Sequence, residues 1–363
     1  MDEVSLTPGN SYGFAEGIIN QKTGKRYPTS TIAMLECGHF DDLKMYTEFK
    51  KQGPAPSSTL MQLYKDRIRT LREQYSYVEL SWGGGHDSTM ILRAAEEADC
   101  QIDLISMQVH GDPASNRTGF NFEISENMHY VESYVKRFPL TKVRYLDIDE
   151  CYANTIKQHH DHILWCRLTT MEMLDDICRI GTDHLIPERQ VNNGIILTGQ
   201  GWKNAIHNKT HGTWSLYLAD SEVNQLGAIS FHLPTVRFYE THDIMIKVGE
   251  EIRNWYTAAT DEDRSLVNIT GSDNTWTTNN EWVHEEIMYK GLEIFHNSKS
   301  KDWLLPWQEQ PRHAFMMERN GKYKEYYQWI SMLNEKFHPS CMIGDGGILG
   351  DGRKYIPAAV IDF

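Results

Sequence analysis

Apolar positions in the first 230 residues recur in two alternating patterns, one typical of helices and one typical of strands. Apolar side chains at three- and four-residue spacing predict a helix over 59–74. The same reasoning predicts helices over 87–98, 124–137 and 165–180. Short apolar runs between the helices predict strands over 77–82, 102–107, 143–148 and 194–198.

Strands that alternate with helices are typical of βαβ units and therefore of a mostly parallel sheet. The predicted fold class is α/β, with a doubly wound sheet. Ligands of such sheets bind beyond the carboxyl ends of the strands. Glycine-rich segments follow two of the predicted strands, after Trp82 and after Leu197, so both segments are expected at the ligand-binding edge.

Beyond residue 230 the pattern changes to long helical stretches of polar and aromatic residues, over 243–256, 280–295 and 323–336. We therefore divide the chain into four parts. These are an N-terminal extension (1–57), the α/β domain (58–230), a mainly helical lobe (231–345) and an extended tail (346–363). The tail is expected to pack on the body or on a partner chain, and a homo-oligomer is left open.

Composition narrows the range of partners. The 363 residues carry a formal charge of −14, which disfavours nucleic acid as a partner, although a local basic groove is compatible with that total. No apolar run approaches the ~18 residues that cross a bilayer. The first residues show no secretory signal, so a cytoplasmic protein without membrane contact is expected. The six cysteines include no C-x-x-C pair, which favours reduced thiols over disulfides or a zinc ribbon.

The chemistry is concentrated in the string YVELSWGGGHDSTMIL, in which an apolar strand leads through glycines into a helix. Glycines let backbone amides approach phosphate oxygens, and the start of the following helix attracts the anion. The hydroxyls of Ser88 and Thr89 can add donors. Asp87 can hold Mg²⁺ against the phosphates. The segment 83–89 therefore predicts a site for the phosphates of a nucleotide such as ATP.

Two better-known phosphate loops are excluded. A Walker A loop needs a lysine directly before Ser88, where this chain has Asp87. The dinucleotide fingerprint needs a third glycine at the position that Ser88 occupies. The plain alternative is a tight strand-to-helix turn without a ligand. Three successive glycines and an acid are a costly way to build such a turn.

The run Gly84-Gly85-His86-Asp87-Ser88 resembles the S-G-G-x-D-S signature of the PP-loop ATP pyrophosphatase superfamily. The run Ile196 to Gly201 resembles the second glycine motif of its asparagine synthetase and β-lactam synthetase branch. The resemblance covers roughly 59–205. It implies an adenine nucleotide α-hydrolase-like fold and an AMP- and pyrophosphate-forming ligase, in which a carboxylate attacks ATP and an amine or ammonia captures the acyl-adenylate.

The resemblance also implies a set of site residues. Asp87, Lys203 and Arg319 are the expected catalytic residues, and Asp87 is the expected Mg²⁺ ligand. The expected ATP-binding residues line the two glycine motifs and the neighbouring strands: Ser81, Gly83, Gly84, Gly85, His86, Asp87, Ser88, Thr89, Met107, Thr198, Gly199, Gln200 and Gly201.

Three departures from the family pattern bear on turnover. Gly83 stands where the family has a phosphate-binding serine, and Ser81 lies two residues too early to replace it. Lys203 and Asn204 replace an acidic pair of which the first acid helps to hold Mg²⁺; Lys203 either contacts the phosphates directly or is an exposed lysine on a loop. The segment before the first predicted strand is too short for the family's glutaminase domain, so we expect ammonia to come from a separate source.

Weaker candidates each have a plain alternative. His159, His162 and Cys166 could ligate a transition metal or lie on an ordinary polar helix face. His110 and Asp112 could meet the base or ribose, or cap a loop. A basic group could grip phosphates or form a solvated helix face, and its members are Arg312, Arg319, Lys322 and Lys324.

Three functional hypotheses follow. The first is an ATP-dependent ligase that joins a small carboxylate to an amine or ammonia. The second is a nucleotide-binding or structural protein that has lost turnover, which the Lys203–Asn204 replacement favours. The third is a PP-loop enzyme that modifies nucleic-acid bases, which the acidic charge and the lack of paired cysteines disfavour.

Overall fold

A computed structural model describes residues 14–27, 37, 43–49, 55–109, 122–147, 185–199, 204–219, 233–266, 275–277, 286–294 and 357–362. The helices are α1 Leu60–Gln74, α2 His86–Glu97, α3 Phe122–Arg137, α4 His242–Ala258 and α5 Asp261–Leu266, with a 3-10 turn at Pro187–Arg189. The first six strands are β1 Phe14–Asn20, β2 Arg26–Tyr27, β3 Leu43–Phe49, β4 Tyr77–Ser81, β5 Leu104–Val109 and β6 Lys142–Asp147. The others are β7 Gly194–Thr198, β8 Asn204–Asn208, β9 Thr213–Ala219, β10 Thr235–Arg237, β11 Thr275–Thr277 and β12 Pro357–Asp362.

The centre of the fold is a five-stranded parallel sheet in the order β10-β7-β4-β5-β6, which confirms the predicted α/β class. The predicted strands at 77–82, 102–107, 143–148 and 194–198 are confirmed as β4 to β7. The predicted helices at 59–74, 87–98, 124–137 and 243–256 are confirmed as α1 to α4. The helices predicted over 165–180 and 323–336 lie outside the described residues, so a doubly wound arrangement stays a prediction. The helix predicted over 280–295 is wrong in most of its described part, because within 286–294 only the first two residues are helical.

The chain order of the strands creates a switch point in this sheet. Numbered as they occur in the chain, the five strands read 3-2-1-4-5 across the sheet, so the chain turns back beside β4 and continues on its other side at β7. In open α/β sheets the crevice at such a reversal is the usual place for a ligand. The two glycine segments follow these two strands.

Alternation along the strands gives the sheet two buried faces. Val78, Leu80 and Trp82 belong to a large apolar cluster that also contains residues of α1 to α4. Tyr77 belongs to a smaller cluster on the other face, with Leu104, Ile186 and Ile196. A strand buried on both faces reads as a nearly continuous apolar run, as is typical of parallel sheets.

Glu79 is a charged residue inside this apolar strand, and the structure accounts for it. Arg189, from the 3-10 turn, donates from Nε and Nη2 to the two carboxylate oxygens of Glu79 at 2.9 and 2.7 Å. Both side chains are fully buried, and the phenol of Tyr77 donates to the same carboxylate at 3.3 Å. Removing one partner would leave a buried charge unpaired, at a cost of about 3–5 kcal/mol.

The described residues also form two antiparallel sheets. Residues of the predicted N-terminal extension form the sheet β2-β1-β3, and β11-β8-β9-β12 form the second. The strand β12 lies in the predicted extended tail. The parallel sheet itself continues past residue 230, because β10 pairs with β7 and Ile244 and Ile252 of α4 lie in the main apolar cluster.

Candidate functional site

The two predicted glycine motifs meet at the switch point of the parallel sheet. β4 and β7 are neighbours, with Leu80 in register with Leu197. The chain leaves β4 through Gly83, Gly84 and Gly85 and enters α2 at His86. It leaves β7 through Thr198 and Gly199. The sequence therefore correctly predicted that both segments share the carboxyl edge of the sheet.

Gly84 fixes the first loop against α3. Its φ of +82° lies in the left-handed region, and a Cβ at this position would lie 2.5 Å from the backbone of Glu123 and Ile124. The buried amide of Asn127 donates from Nδ2 to the Gly84 carbonyl at 2.9 Å. Only glycine fits a position that combines positive φ with so close a backbone approach.

Gly83 differs from Gly84, although the two are adjacent. Gly83 is exposed, and among the described residues no atom lies within 4 Å of where its Cβ would stand. At Gly85, such a Cβ would meet only the carboxylate of Glu123, at 3.5 Å, within the same set of residues. The packing around Gly83 and Gly85 therefore leaves room beside the loop, while Gly84 anchors it.

The helix α2 begins without a side-chain cap. Its N-cap residue is Gly85, which offers no hydroxyl or carboxylate to the first amides of the helix. By contrast, Thr59 Oγ1 accepts from Gln62 N at 3.2 Å at the start of α1, and Thr241 Oγ1 accepts from Ile244 N at 3.4 Å at the start of α4. The first amides of a helix need partners, and an anion is a suitable one.

The hydroxyls of Ser88 and Thr89 hold the loop in shape. Ser88 Oγ accepts from Gly83 N at 3.2 Å and lies 3.4 Å from the Gly85 carbonyl. Thr89 is fully buried, and its hydroxyl accepts from the indole Nε1 of Trp82 at 3.0 Å. The sequence predicted both hydroxyls as donors to phosphate, and in this geometry each already binds within the loop.

Asp87 is held by tyrosines from two distant parts of the chain. The phenol of Tyr289 donates to Asp87 Oδ1 in a short hydrogen bond, and Tyr239 donates to the Asp87 carbonyl at 2.7 Å. Burial raises the pKa of both tyrosines well above the ordinary value of a phenol, and the Asp87 carboxylate raises it further. Both phenols therefore stay protonated and remain donors near neutral pH.

The second glycine segment packs directly on the start of α2. A Cβ at Gly199 would lie 2.4 Å from the Cβ of Asp87 and 3.0 Å from Ser88 N. Thr198, which is 6% exposed, has a buried hydroxyl that finds no hydrogen-bond partner within the part of the chain that the structure describes. A buried hydroxyl without a partner is costly, which makes this group a candidate for contact with a ligand.

The remaining predicted site residues divide into two groups. Ser81 is half-buried at the end of β4, in register with Ser106, whereas Met107 is fully buried in the main apolar cluster. The others lie outside the described residues: Gln200, Gly201, Lys203, Arg319, His110, Asp112, His159, His162, Cys166, Arg312, Lys322 and Lys324. Asn204 is the first residue of β8.

Sequence reasoning missed four residues that shape the site. Glu123 and Asn127 come from the first turns of α3, and Tyr239 and Tyr289 come from beyond the second glycine segment. Glu123 and Asn127 could have been found from the sequence, because they lie near the start of the helix predicted after the second strand. No local pattern relates Tyr289 to Asp87, because 202 residues separate them.

The described residues contain neither a cluster of metal-ligating side chains nor a helix that could span a membrane. In those ranges, His, Cys, Asp and Glu side chains form no group of three or more that could hold a metal ion. No helix there is both long and apolar enough to cross a bilayer.

No protein-family model matches the chain. No curated protein matches it either.

Proposed function

We propose that the chain binds ATP at the switch point, with the phosphates on the glycine loop and the start of α2. The observation that carries the proposal is the start of α2, which has no side-chain cap, beside the buried hydroxyl of Thr198, which finds no hydrogen-bond partner within the described residues. Backbone amides and a threonine hydroxyl are all hydrogen-bond donors, and these lie at the edge where α/β sheets bind nucleotides. A polyphosphate offers the matching acceptors.

The residues present also suit a divalent cation beside the phosphates. Asp87 carries a half-buried carboxylate in the first turn of α2, and Glu123 brings a second carboxylate to Gly85. Mg²⁺ prefers a few carboxylates together with substrate phosphates to a cage built by protein alone. Asp87 would hold the ion, which would supply positive charge against the charge that develops on pyrophosphate.

The reaction we propose is the AMP- and pyrophosphate-forming ligation implied by the PP-loop resemblance. The glycine loop would hold ATP in line for attack by a small carboxylate, and an amine or ammonia would take the acyl group. Positioning supplies much of the rate in such a transfer, because the reactants are held in the reactive geometry. Lys203 and Arg319 would supply further positive charge.

A second candidate is a protein that binds the nucleotide and does not turn it over. Gly83 favours it, because the exposed position that carries a serine in the family has no hydroxyl here. The replacement of the acidic pair by Lys203 and Asn204 favours it too. Both candidates require the same ATP site, so binding is tested first and turnover second.

Calorimetry with ATP and Mg²⁺ tests the binding site. Asp87→Asn removes the metal-binding charge, so we expect it to weaken binding by roughly tenfold, on the scale of one charge-assisted contact. Asp243→Asn is the matched control, because Asp243 also lies in the first turn of a helix, α4. Absence of any ATP binding by the wild type, or equal affinity in all three proteins, would remove the proposed site.

Release of AMP and pyrophosphate tests turnover. Wild-type protein is supplied with ATP, Mg²⁺ and panels of carboxylic acids with ammonia or amines, and both products are quantified by mass spectrometry. Stoichiometric AMP and pyrophosphate with a coupled amide support the ligase. ATP binding without either product across the panels would support the nucleotide-binding candidate.

A further inference from the structure

The segment 286–294 is hydrogen-bonded to α2 and α3, the two helices that contact the glycine loop. Arg93 of α2 donates from Nη1 to the Gly291 carbonyl at 2.6 Å. Tyr130 of α3 donates to the Glu293 carbonyl at 3.0 Å and accepts from Glu293 N at 3.1 Å. The segment is therefore held at points on both α2 and α3.

Tyr289 lies between these points and reaches the loop itself. It is 5% exposed, and its ring stacks on that of His86 with the centroids 5.4 Å apart. Its phenol donates to Asp87 Oδ1. The Asp87 side chain thus has a donor that comes from a part of the chain far from both glycine motifs.

We propose that Tyr289 is a positioning residue that orients the Asp87 carboxylate toward a divalent cation bound with the nucleotide. The inference rests on the proposed function and adds a residue to its site. A carboxylate has about four acceptor positions, so it can accept a phenol and ligate a cation at once. Partners of metal ligands commonly fix their orientation, and their loss costs about 10–100-fold in affinity or activity.

Three features make Tyr289 suitable for this role. Stacking on His86 and the anchored segment restrict where its phenol can lie. A tyrosine hydroxyl is a hydrogen-bond donor that carries no charge. A neutral donor leaves the full negative charge of Asp87 for the cation, whereas a lysine or arginine would neutralise it.

Tyr289→Phe tests the inference, because it keeps the ring and removes the donor. Tyr130→Phe is the matched control, since it removes the other phenol bond to the segment without touching Asp87. ATP affinity is measured by calorimetry with Mg²⁺ and with EDTA. Mn²⁺ affinity in the ATP complex is measured by electron paramagnetic resonance, and thermal unfolding reports folding.

We expect Tyr289→Phe to lose about tenfold in Mn²⁺ affinity and in ATP affinity with Mg²⁺. ATP affinity with EDTA should stay within twofold of wild type. Tyr130→Phe should lose much less than Tyr289→Phe in each binding measurement, because it keeps the Tyr289 phenol and Arg93 still holds the segment. A purely structural role would lower both ATP affinities together. Equal loss with and without Mg²⁺, or no loss at all, would overturn the role of Tyr289.

Failure of the proposed function has a different signature, namely wild-type protein that binds no ATP with or without Mg²⁺.

A wild-type measurement keeps the inference testable even if Tyr289→Phe does not fold. Carbon-13 NMR of labelled aspartate follows the Asp87 carboxyl, identified by its loss in Asp87→Asn. Its signal should move on addition of Mg²⁺ to the ATP complex, and an unmoved signal would show that Asp87 does not meet the cation.

Discussion

The starts of α2 and α4 lie at the same edge of the parallel sheet, but only α4 has a side chain that caps its first amides. α4 follows β10 and begins at Thr241, whose hydroxyl accepts from Ile244 N. α2 follows β4 and begins at Gly85, which has no side chain to offer. One helix start has a side-chain cap from its own sequence, and the other has none.

The residues around the two helix starts also differ in their contacts. Before α4, Arg237 donates from Nη1 to Glu240 at 2.6 Å. Beside α2, the Thr198 hydroxyl finds no partner in the described ranges, and Gly199 brings backbone close to Asp87. These differences are why we propose a ligand at the start of α2 and not at the start of α4.

Gly84→Ala should have the largest effect. The new Cβ would meet the backbone of α3 at 2.5 Å and force a non-glycine residue to adopt a φ of +82°. Left-handed backbone costs about 1–2 kcal/mol, and overpacking about 1–3 kcal/mol more, so we expect the free energy of unfolding to fall by about 2–5 kcal/mol. Urea denaturation measures it.

Gly83→Ala is the control for Gly84→Ala, because within the described residues its Cβ has open space. It should change the free energy of unfolding by less than about 0.5 kcal/mol, as surface substitutions usually do. Two variants of equal stability would contradict the distinction between an anchoring glycine and an open one. They would also mean that the loop does not depend on its contact with α3.

Much of this comparison could be predicted from the sequence around α2. The apolar run before Gly83 and the helical spacing after His86 depend on local patterns, so strand, loop and helix were all found. The position of the second motif followed from a general property of parallel strands. Local pattern and general topology were sufficient because the two motifs lie directly after buried strands.

The α4 side could not be predicted in the same way. β10 has only three residues, too few to show a periodicity, and the sequence assigned its surroundings to a separate helical lobe. The contact between Tyr289 and Asp87 joins residues far apart in the chain, and only the folded structure relates them. Long-range contacts made by single side chains leave no pattern in a single sequence.

Thr241→Ala should have an intermediate effect, because it turns the start of α4 into an uncapped start like that of α2. Loss of a threonine cap costs about 1 kcal/mol of stability. ATP affinity should not change, since the phosphates are proposed to lie at α2. Urea denaturation and calorimetry on the same preparation test both parts, and weakened ATP binding would mean that the ligand also uses the start of α4.

Gly85→Ser makes the opposite change and should have the smallest effect on stability. Serine at this position gives α2 a cap of its own, and its Cβ would meet the Glu123 carboxylate at an ordinary contact distance of 3.5 Å. A serine cap is better than glycine by only a few tenths of a kcal/mol, so the free energy of unfolding should rise by about that amount. The serine hydroxyl would accept hydrogen bonds from the same backbone amides that we propose bind phosphate.

The comparison of Gly85→Ser with Gly85→Ala separates that competition from the bulk of the new side chain. Alanine adds the same Cβ without an acceptor, so it measures crowding alone. If the phosphates bind the first amides of α2, ATP should bind Gly85→Ser roughly fivefold more weakly than Gly85→Ala, the equivalent of a cap worth about 1 kcal/mol. Calorimetry measures both affinities. Equal affinities would show that ATP binds without these amides, and the two helix starts would then differ in capping alone.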